Sequence, residues 1–327
     1  MTRRRPEERD IKIRPSRSTR PRSKDRPNHE NAVSGKVLTV DRGRTLCRLM
    51  NGTLVNAMKA RELGKNSVVV GDIVNLVGDV SGMPGSLARI VAVQERRNTL
   101  SRTIDDAGAF EKTIAANVDQ MLIVTAAANP EPRHGFIDRC LAVAYDQNIV
   151  PIIVMTKSDL ANPSDFLSTY DALEIKHFAV QKGGDLAELL KELISKDSVM
   201  IGHSGVGKST LVNALTGNLL RATGNVNDTT GRGRHTSSSA IAIDIPGYEG
   251  TIIDTPGVRS FGLEHIDRSR VISSFEELAE AIVGCPKNCS HDEEKCGLND
   301  YVLAHPESAQ RVSGLRRLLS TTSEPIT

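Results

Sequence analysis

The sequence predicts an α/β protein built on a mostly parallel sheet, preceded by a small closed β-barrel and followed by a helical piece that carries potential metal ligands. Three observations predict it. From Gln94 to about His265 short apolar runs alternate with helical stretches, the pattern of a sheet with helices on both faces. Within that stretch Gly202-His203-Ser204-Gly205-Val206-Gly207-Lys208-Ser209 fits G-x-x-x-x-G-K-[ST], a turn whose amides cradle phosphates. Beyond it, Cys285, Cys289, His291 and Cys296 crowd into one short segment.

The chain of 327 residues carries a formal charge of +2, which conceals an asymmetry. Residues 1–31 form a basic arm with four prolines and few apolar side chains, too poor in buriable surface to fold alone. Two readings stand open for it: a solvated tail, or an arm that contacts RNA phosphates. No stretch approaches 18 consecutive apolar residues and the basic start lacks the apolar run of a signal peptide, so a cytoplasmic protein without a membrane partner is expected. Five cysteines, an odd number, suit a reducing compartment better than a disulfide framework.

Residues 32–95 read as short strands broken by turns: Gly35 to Val40, Thr45 to Met50, Thr53 to Val55, Gly71 to Val77 and Leu87 to Val93, with Asn51-Gly52 marking a hairpin. That density of strands predicts a closed barrel, of which an OB-type fold is the expected form. The segment is basic but holds no Phe, Tyr or Trp, so base stacking is unavailable to it. It serves either as an RNA-binding module that uses phosphates and shape or as a spacer.

Residues 96–265 hold the chemistry. The apolar Ser198 to Ile201 reads as a strand before the glycine-rich turn and Ser209 to Leu215 as the helix after it, which sets the phosphate site at a helix N-terminus. Lys208 supplies a cation there, Ser209 a Mg²⁺ ligand, and Thr210 follows in the same turn. Upstream, Thr156-Lys157-Ser158-Asp159 follows the apolar run Ile149 to Met155 and sits at the expected C-terminal end of a parallel strand. The Asp159 carboxylate can accept from both the ring N–H and the amine of guanine, an arrangement adenine does not offer. Downstream, Thr251 to Gly257 supplies Asp-x-x-Gly, with Asp254 reaching Mg²⁺ through water and the Gly257 amide facing a γ-phosphate. The order is base motif, phosphate loop, Asp-x-x-Gly, whereas an ordinary GTPase begins with the phosphate loop. The domain is therefore expected to be circularly permuted, which is tolerable because the pocket depends on where strands end and not on their order along the chain. The glycine-rich, charged Gly231 to Ser237 reads as a loop, with Thr236 placed to bind Mg²⁺ when GTP is present.

In residues 266–327, Val271, Phe275, Leu278 and Ile282 recur at helical spacing and read as core. Then Cys285, Cys289, His291 and Cys296 match a closed Cys₃His site for one Zn²⁺, a redox cluster being the alternative. Cys47 and Cys140 sit in apolar surroundings and read as packing residues.

The permuted order, the string Gly231-Arg-Gly-Arg-His-Thr236, the string Asp254-Thr-Pro-Gly257 and the Cys/His cluster together resemble the ribosome small subunit-dependent GTPase A (RsgA) family, over residues 32 to beyond 296. The resemblance implies an N-terminal OB-type β-barrel, a circularly permuted α/β P-loop GTPase domain and a C-terminal α-helical zinc-binding domain acting late in small-subunit maturation. It further implies a monomer whose partners are the small ribosomal subunit with its rRNA, and GTP or GDP with Mg²⁺. By the same resemblance Thr156 to Asp159 read the base, Gly202 to Thr210 the phosphates, and the four Cys/His residues hold zinc.

The chain departs from the family pattern in several places. Its cluster is compact, C-x₃-C-x-H-x₄-C; Thr156 replaces the commoner Asn; and the second base-contacting loop reads Ala179-Val180-Gln181. After Asp-x-x-Gly, where many GTPases carry a water-orienting Gln, stands Val258, so His235 becomes the candidate catalytic group beside Thr236 and Lys208. An exposed loop histidine without a task is the plain alternative. Two other functions compete with a subunit-assembly GTPase: a P-loop ATPase or kinase, which has no use for Thr156 to Asp159, and an RNA-binding protein whose nucleotide site only gates affinity.

Overall fold

The computed structural model describes residues 31–41, 43–64, 67–104, 110–217, 240–255, 266–286 and 288–322. Five strands open the chain: β1 (Val33–Asp41), β2 (Arg44–Leu49), β3 (Leu54–Lys59), β4 (Ile73–Gly78) and β5 (Ala88–Val93). They pair in the order β1-β2-β3-β5-β4, and β4 pairs back onto β1, which closes an OB-type barrel. Alternation turns Val37, Cys47, Leu49, Val55, Ala57, Val74, Leu76, Ala88 and Ile90 inward as one core. Closure needs β1 to serve two partners, and an irregularity between Val37 and Thr39 bends it to do so. The expected hairpin joins β2 to β3, its loop tightened by Asn51, whose side chain accepts from the Thr53 amide at 3.0 Å.

A two-stranded hairpin, β6 (Thr99–Ile104) and β7 (Phe110–Ala116), follows the barrel. Its strands were not anticipated from the sequence. Then come β8 (Gln120–Ala126), α1 (His134–Asp146), β9 (Val150–Thr156), α2 (Ser164–Ser168), β10 (Lys176–Ala179), α3 (Ala187–Glu192), β11 (Asp197–Ile201), α4 (Lys208–Leu215), β12 (Ile241–Asp244) and β13 (Thr251–Asp254). The sheet order is β10-β9-β8-β11-β13-β12, parallel except for the last pair. All seven residues of β8 are buried, as befits a central strand covered on both faces. One face packs α1, with Ile137, Cys140, Leu141 and Ala144 buried in its core. The other packs α3 and α4 through Leu189, Leu211, Val212 and Leu215.

The barrel joins this sheet through a pairing of Thr39 with Ile241 and through two ion pairs, Lys36 with Asp197 and Arg48 with Asp244. The C-terminal part consists of α5 (Arg268–Ser273), α6 (Glu276–Ala281), α7 (Gly297–Ala304) and α8 (Ala309–Thr321). Val271, Phe275 and Leu278 are buried as expected, yet they do not share one helix. Phe275 has φ −120° and ψ 79°, which breaks the segment into α5 and α6 and directs its ring into the core beside Tyr145. The buried Val312, Leu315, Leu318 and Leu319 bring α8 onto the α1 side of the sheet. Among the described residues no helix is long and apolar enough to cross a membrane.

Candidate functional site

The C-terminal ends of β8, β9, β10, β11 and β13 lie on one edge of the sheet, and the described residues of the base motif, the glycine-rich loop and the Asp-x-x-Gly segment fall there. Leaving β11, the chain turns through Gly202 to Gly207 and enters α4 at Lys208. Gly202 admits no side chain: a Cβ would lie 2.3 Å from the Val124 carbonyl oxygen of the neighbouring strand. Gly205 and Gly207 take φ of 82° and 94°, the left-handed region, so that successive amides turn toward a common point. Lys208 Nζ donates to the carbonyls of Gly202 and, at 2.8 Å, of His203. Ser204, Ser209 and Thr210 are exposed around this loop, while Val206 is buried beneath it.

Charge at this edge is held under burial. Desolvation pushes the Asp254 carboxyl above its usual range, against the opposing pull of Lys208 and of the Thr255 amide. Lys208 is lowered in turn, burial outweighing the attraction of Asp254. Two partly desolvated opposite charges facing the same loop form a ready seat for an anion and a divalent cation together. Thr255 is fixed by a bond from its hydroxyl to Met200 O at 2.9 Å, which ties the end of β13 to β11.

The base motif adjoins the loop. Thr156 ends β9, and its hydroxyl lies within bonding reach of two carbonyls, Thr125 O at 3.1 Å and Val206 O of the glycine-rich loop. Lys157 has φ 57° and reaches the Asn129 carbonyl with Nζ, and the Ser158 amide donates to Val180 O at 3.3 Å. Asp159 is exposed at the rim. In the following loop the Val180 amide is engaged by Met155 O at 2.8 Å. His235, Thr236, Gly257 and Val258 lie outside the described residues.

Sequence reasoning overlooked the loop that leaves β8. Asn129 meets Lys157 there, and Phe136, at the start of α1, packs against the His203 ring with centroids 4.2 Å apart. The signal was available: the apolar run Met121 to Val124 fits a strand of the same parallel sheet, whose C-terminal loop must reach the same edge.

The Cys/His cluster is closed. The ligand atoms of Cys285, Cys289, His291 and Cys296 all lie within 4.8 Å of one another. Cys285 Sγ to Cys296 Sγ, Cys285 Sγ to His291 Nδ1 and Cys296 Sγ to His291 Nδ1 are each 3.8 Å. Thiolates ~2.3 Å from a tetrahedral Zn²⁺ stand about 3.8 Å from each other, so the donors of Cys285, His291 and Cys296 match one face of that tetrahedron, with Cys289 Sγ close by. The short spacers close because Asn288 and His291 adopt φ of 64° and 69°. Amides of Gly297 and His291 donate to Cys285 Sγ at 3.2 Å and Cys289 Sγ at 3.3 Å, a field that favours thiolates. Gly297 is required for this approach, since a Cβ would lie 2.2 Å from Ala281 O. From α8, Arg316 Nε donates to the His291 carbonyl at 2.7 Å and steadies the loop.

Comparison with known proteins is decisive at this point. The model of the RsgA GTPase family matches residues 93–264. The Small ribosomal subunit biogenesis GTPase RsgA of Marinobacter nauticus is 32% identical over 331 aligned positions, covering 96% of this chain and 93% of that protein. The chain belongs to the RsgA family. The RsgA of Azotobacter vinelandii is 35% identical over 246 residues, 72% of this chain and 71% of that protein. Two solved structures share the fold: YjeQ from Thermotoga maritima and YloQ, a circularly permuted GTPase. Each has a TM-score of 0.63, with identities of 22% and 21%, and they cover 90% and 93% of this chain and 100% of their own. The RsgA-family fold thus comprises the OB-type barrel, the permuted GTPase sheet and the helical region with its Cys₃His metal-binding cluster.

Proposed function

We propose that this GTPase is an assembly factor that binds the small ribosomal subunit in its GTP state, assists late maturation and leaves after hydrolysis. The observation that carries the reading is the bond between Thr156 and the Val206 carbonyl. It joins a guanine-type motif to a phosphate-type loop at one edge of the sheet, a combination that an ATPase or a kinase does not need. The relatives named for small-subunit biogenesis support the choice of partner.

In this reading Asp159 accepts from guanine, with Lys157 and Ser158 completing the base site. Gly202 to Thr210 hold the phosphates, Lys208 neutralising their charge. Ser209 and Thr236 would ligate Mg²⁺, with Asp254 facing it through water and the Gly257 amide facing the γ-phosphate. The metal ion, when bound, neutralises charge that develops on the phosphate oxygens. The Val258 side chain has no polar atom with which to orient water, so His235 takes that task on the subunit. The Cys₃His cluster would hold one structural Zn²⁺, supplying folding energy to the region from 266 onward. The parts act as four units, 1–31, 32–95, 96–265 and 266–327.

The test is GTP hydrolysis by the wild type and by His235→Ala, each alone and with purified small subunits. Slow turnover alone, strong stimulation by subunits and loss of that stimulation in the variant with GTP affinity retained are expected. A rate indifferent to subunits removes the proposed role.

A further inference from the structure

Alternation along β3 turns Val55 and Ala57 into the barrel core and leaves Leu54, Asn56 and Met58 facing out. Five large apolar side chains stand exposed in this part of the barrel: Met50, Leu54, Met58, Met83 and Leu87 are each between 43% and 91% accessible. They belong to β3, to the turn that enters it and to the loop that leads into β5. Gly82, at φ 73°, approaches β3 so closely that a Cβ would lie 2.6 Å from the Leu54 carbonyl oxygen, which carries the loop holding Met83 onto the start of that strand. The register then sets arginines beside the apolar groups. Across β2 and β3, Arg44 stands opposite Met58 and Arg48 opposite Leu54, and β5 places Arg89 opposite Met58 on its other side.

Charge on this face has one sign. β2, β3 and β5 contain Arg44, Arg48, Lys59 and Arg89 but no Asp or Glu. Arg48 is engaged by Asp244 and Lys59 by the Gly64 carbonyl. Among the described residues the Arg44 and Arg89 side chains make no ion pair. One row across three strands therefore reads Arg44, Met58, Arg89, an apolar side chain between two unpaired cations. Adaptable thioethers and leucines exposed together and rimmed by charge mark a docking surface. RNA answers only half of it. A phosphate backbone would meet the arginines but would lose its water against methionine and leucine, and residues 32–95 offer no aromatic ring on which a base could stack. Carboxylates set beside apolar side chains satisfy both features at once.

We propose that the outer face of β2, β3 and β5 docks an acidic, apolar protein segment carried by the small ribosomal subunit. Its apolar side chains would seat on Leu54 and Met58 and its carboxylates on Arg44 and Arg89. The inference rests on the proposal that the chain binds that subunit.

The test uses the full, zinc-loaded chain with a non-hydrolysable GTP analogue and purified small subunits. Met58 is replaced by photoreactive p-benzoylphenylalanine and, in a second protein, Met83 is; the latter stands at the margin of the face, where a bulky label leaves docking intact. On irradiation, both positions should cross-link to a protein segment rich in Asp, Glu and apolar residues, as read by mass spectrometry. Arg44→Gln combined with Arg89→Gln should remove most of that cross-link and weaken subunit binding roughly five- to tenfold. Met58→Ser should weaken binding by a similar factor. All of these side chains are exposed, so GTP affinity, zinc content and melting temperature should stay at wild-type values. Cross-links to rRNA, to a protein segment without carboxylates, to a second copy of the chain or to the chain's own residues 1–30 overturn the inference. So does a complex that forms without any cross-link from either position, or wild-type subunit affinity in the double arginine variant. Failure of the unlabelled wild type to bind small subunits overturns instead the proposed function on which the inference stands.

Discussion

The Thr156 hydroxyl bonds to the main-chain carbonyl of Val206, fifty residues further along the chain, in the middle of the glycine-rich loop. Both groups are buried, so the loop cannot trade this bond for one to water. Thr156→Val preserves shape and volume and deletes only the hydroxyl. It is expected to lower stability by about 1 kcal/mol, with GDP and GTP affinities falling together by about fivefold. Equal losses for the two nucleotides, measured by titration, identify a loop-positioning effect; a loss confined to GTP contradicts it.

Asp159 stands exposed at the rim, beyond the turn that Lys157 makes with φ 57°. Its carboxylate is free to accept from two donors of a base. Replacing it by Asn exchanges one acceptor for a donor, so Asp159→Asn should weaken GTP by at least about tenfold and improve xanthosine nucleotides, which carry an acceptor where guanine has its amine. Competition binding with GTP, XTP and ATP checks this, and equal wild-type affinity for ATP and GTP contradicts it.

The parts of this chain that were legible in its sequence are those written in local patterns. Alternation in Thr45 to Met50 or Leu87 to Val93 exposes a barrel strand, and the unbroken apolar run before Thr156 exposes a central one. The glycine-rich loop and the Cys/His cluster were legible because their ligating groups are close neighbours along the chain. What escaped depends on contacts between distant segments. Leu100 and Ala115 anchor the β6–β7 hairpin in the core, yet neither stands in an alternating run long enough to announce a strand. The break at Phe275 leaves the helical spacing of Val271 and Leu278 untouched, so periodicity could not reveal it. Asp138 and Arg317 lie 179 positions apart, and no local pattern marks either as the other's partner.

Asp254 carries charge against a desolvation penalty that Lys208 only partly offsets. Because burial raises its folded value above the ordinary 3.8, the linked stability is fully present below that value. It is lost as the pH climbs through the raised one. Asp254→Asn removes the penalty while keeping an acceptor for the Thr255 amide. The nucleotide-free variant should melt about 2–4 °C above the wild type at neutral pH, a shift of ~1 kcal/mol for a domain of this size. The difference should close toward pH 3–4. Mg²⁺-dependent tightening of GTP binding should vanish in the same variant, so melting curves across pH and titrations with and without Mg²⁺ test both halves.

Arg316 Nε holds the His291 carbonyl at 2.7 Å and its Nη2 holds Asn299 Oδ1 at 2.7 Å, so α8 is bonded both to the Cys/His loop and to α7. Zinc bound by Cys285, Cys289, His291 and Cys296 would therefore order more than its own loop, since that loop carries the chain from Ala281 at the end of α6 to Gly297 at the start of α7. Binding energy at such a site is folding energy. Purified protein should contain about one Zn²⁺ per chain, and stripping it with a strong chelator should speed amide exchange in α7 and α8 while leaving β1 to β5 protected. Cys289→Ser weakens one of four ligands and should lower zinc occupancy and the melting temperature together. Elemental analysis finding no metal, with melting unchanged in Cys289→Ser, would show that the cluster is held by packing alone.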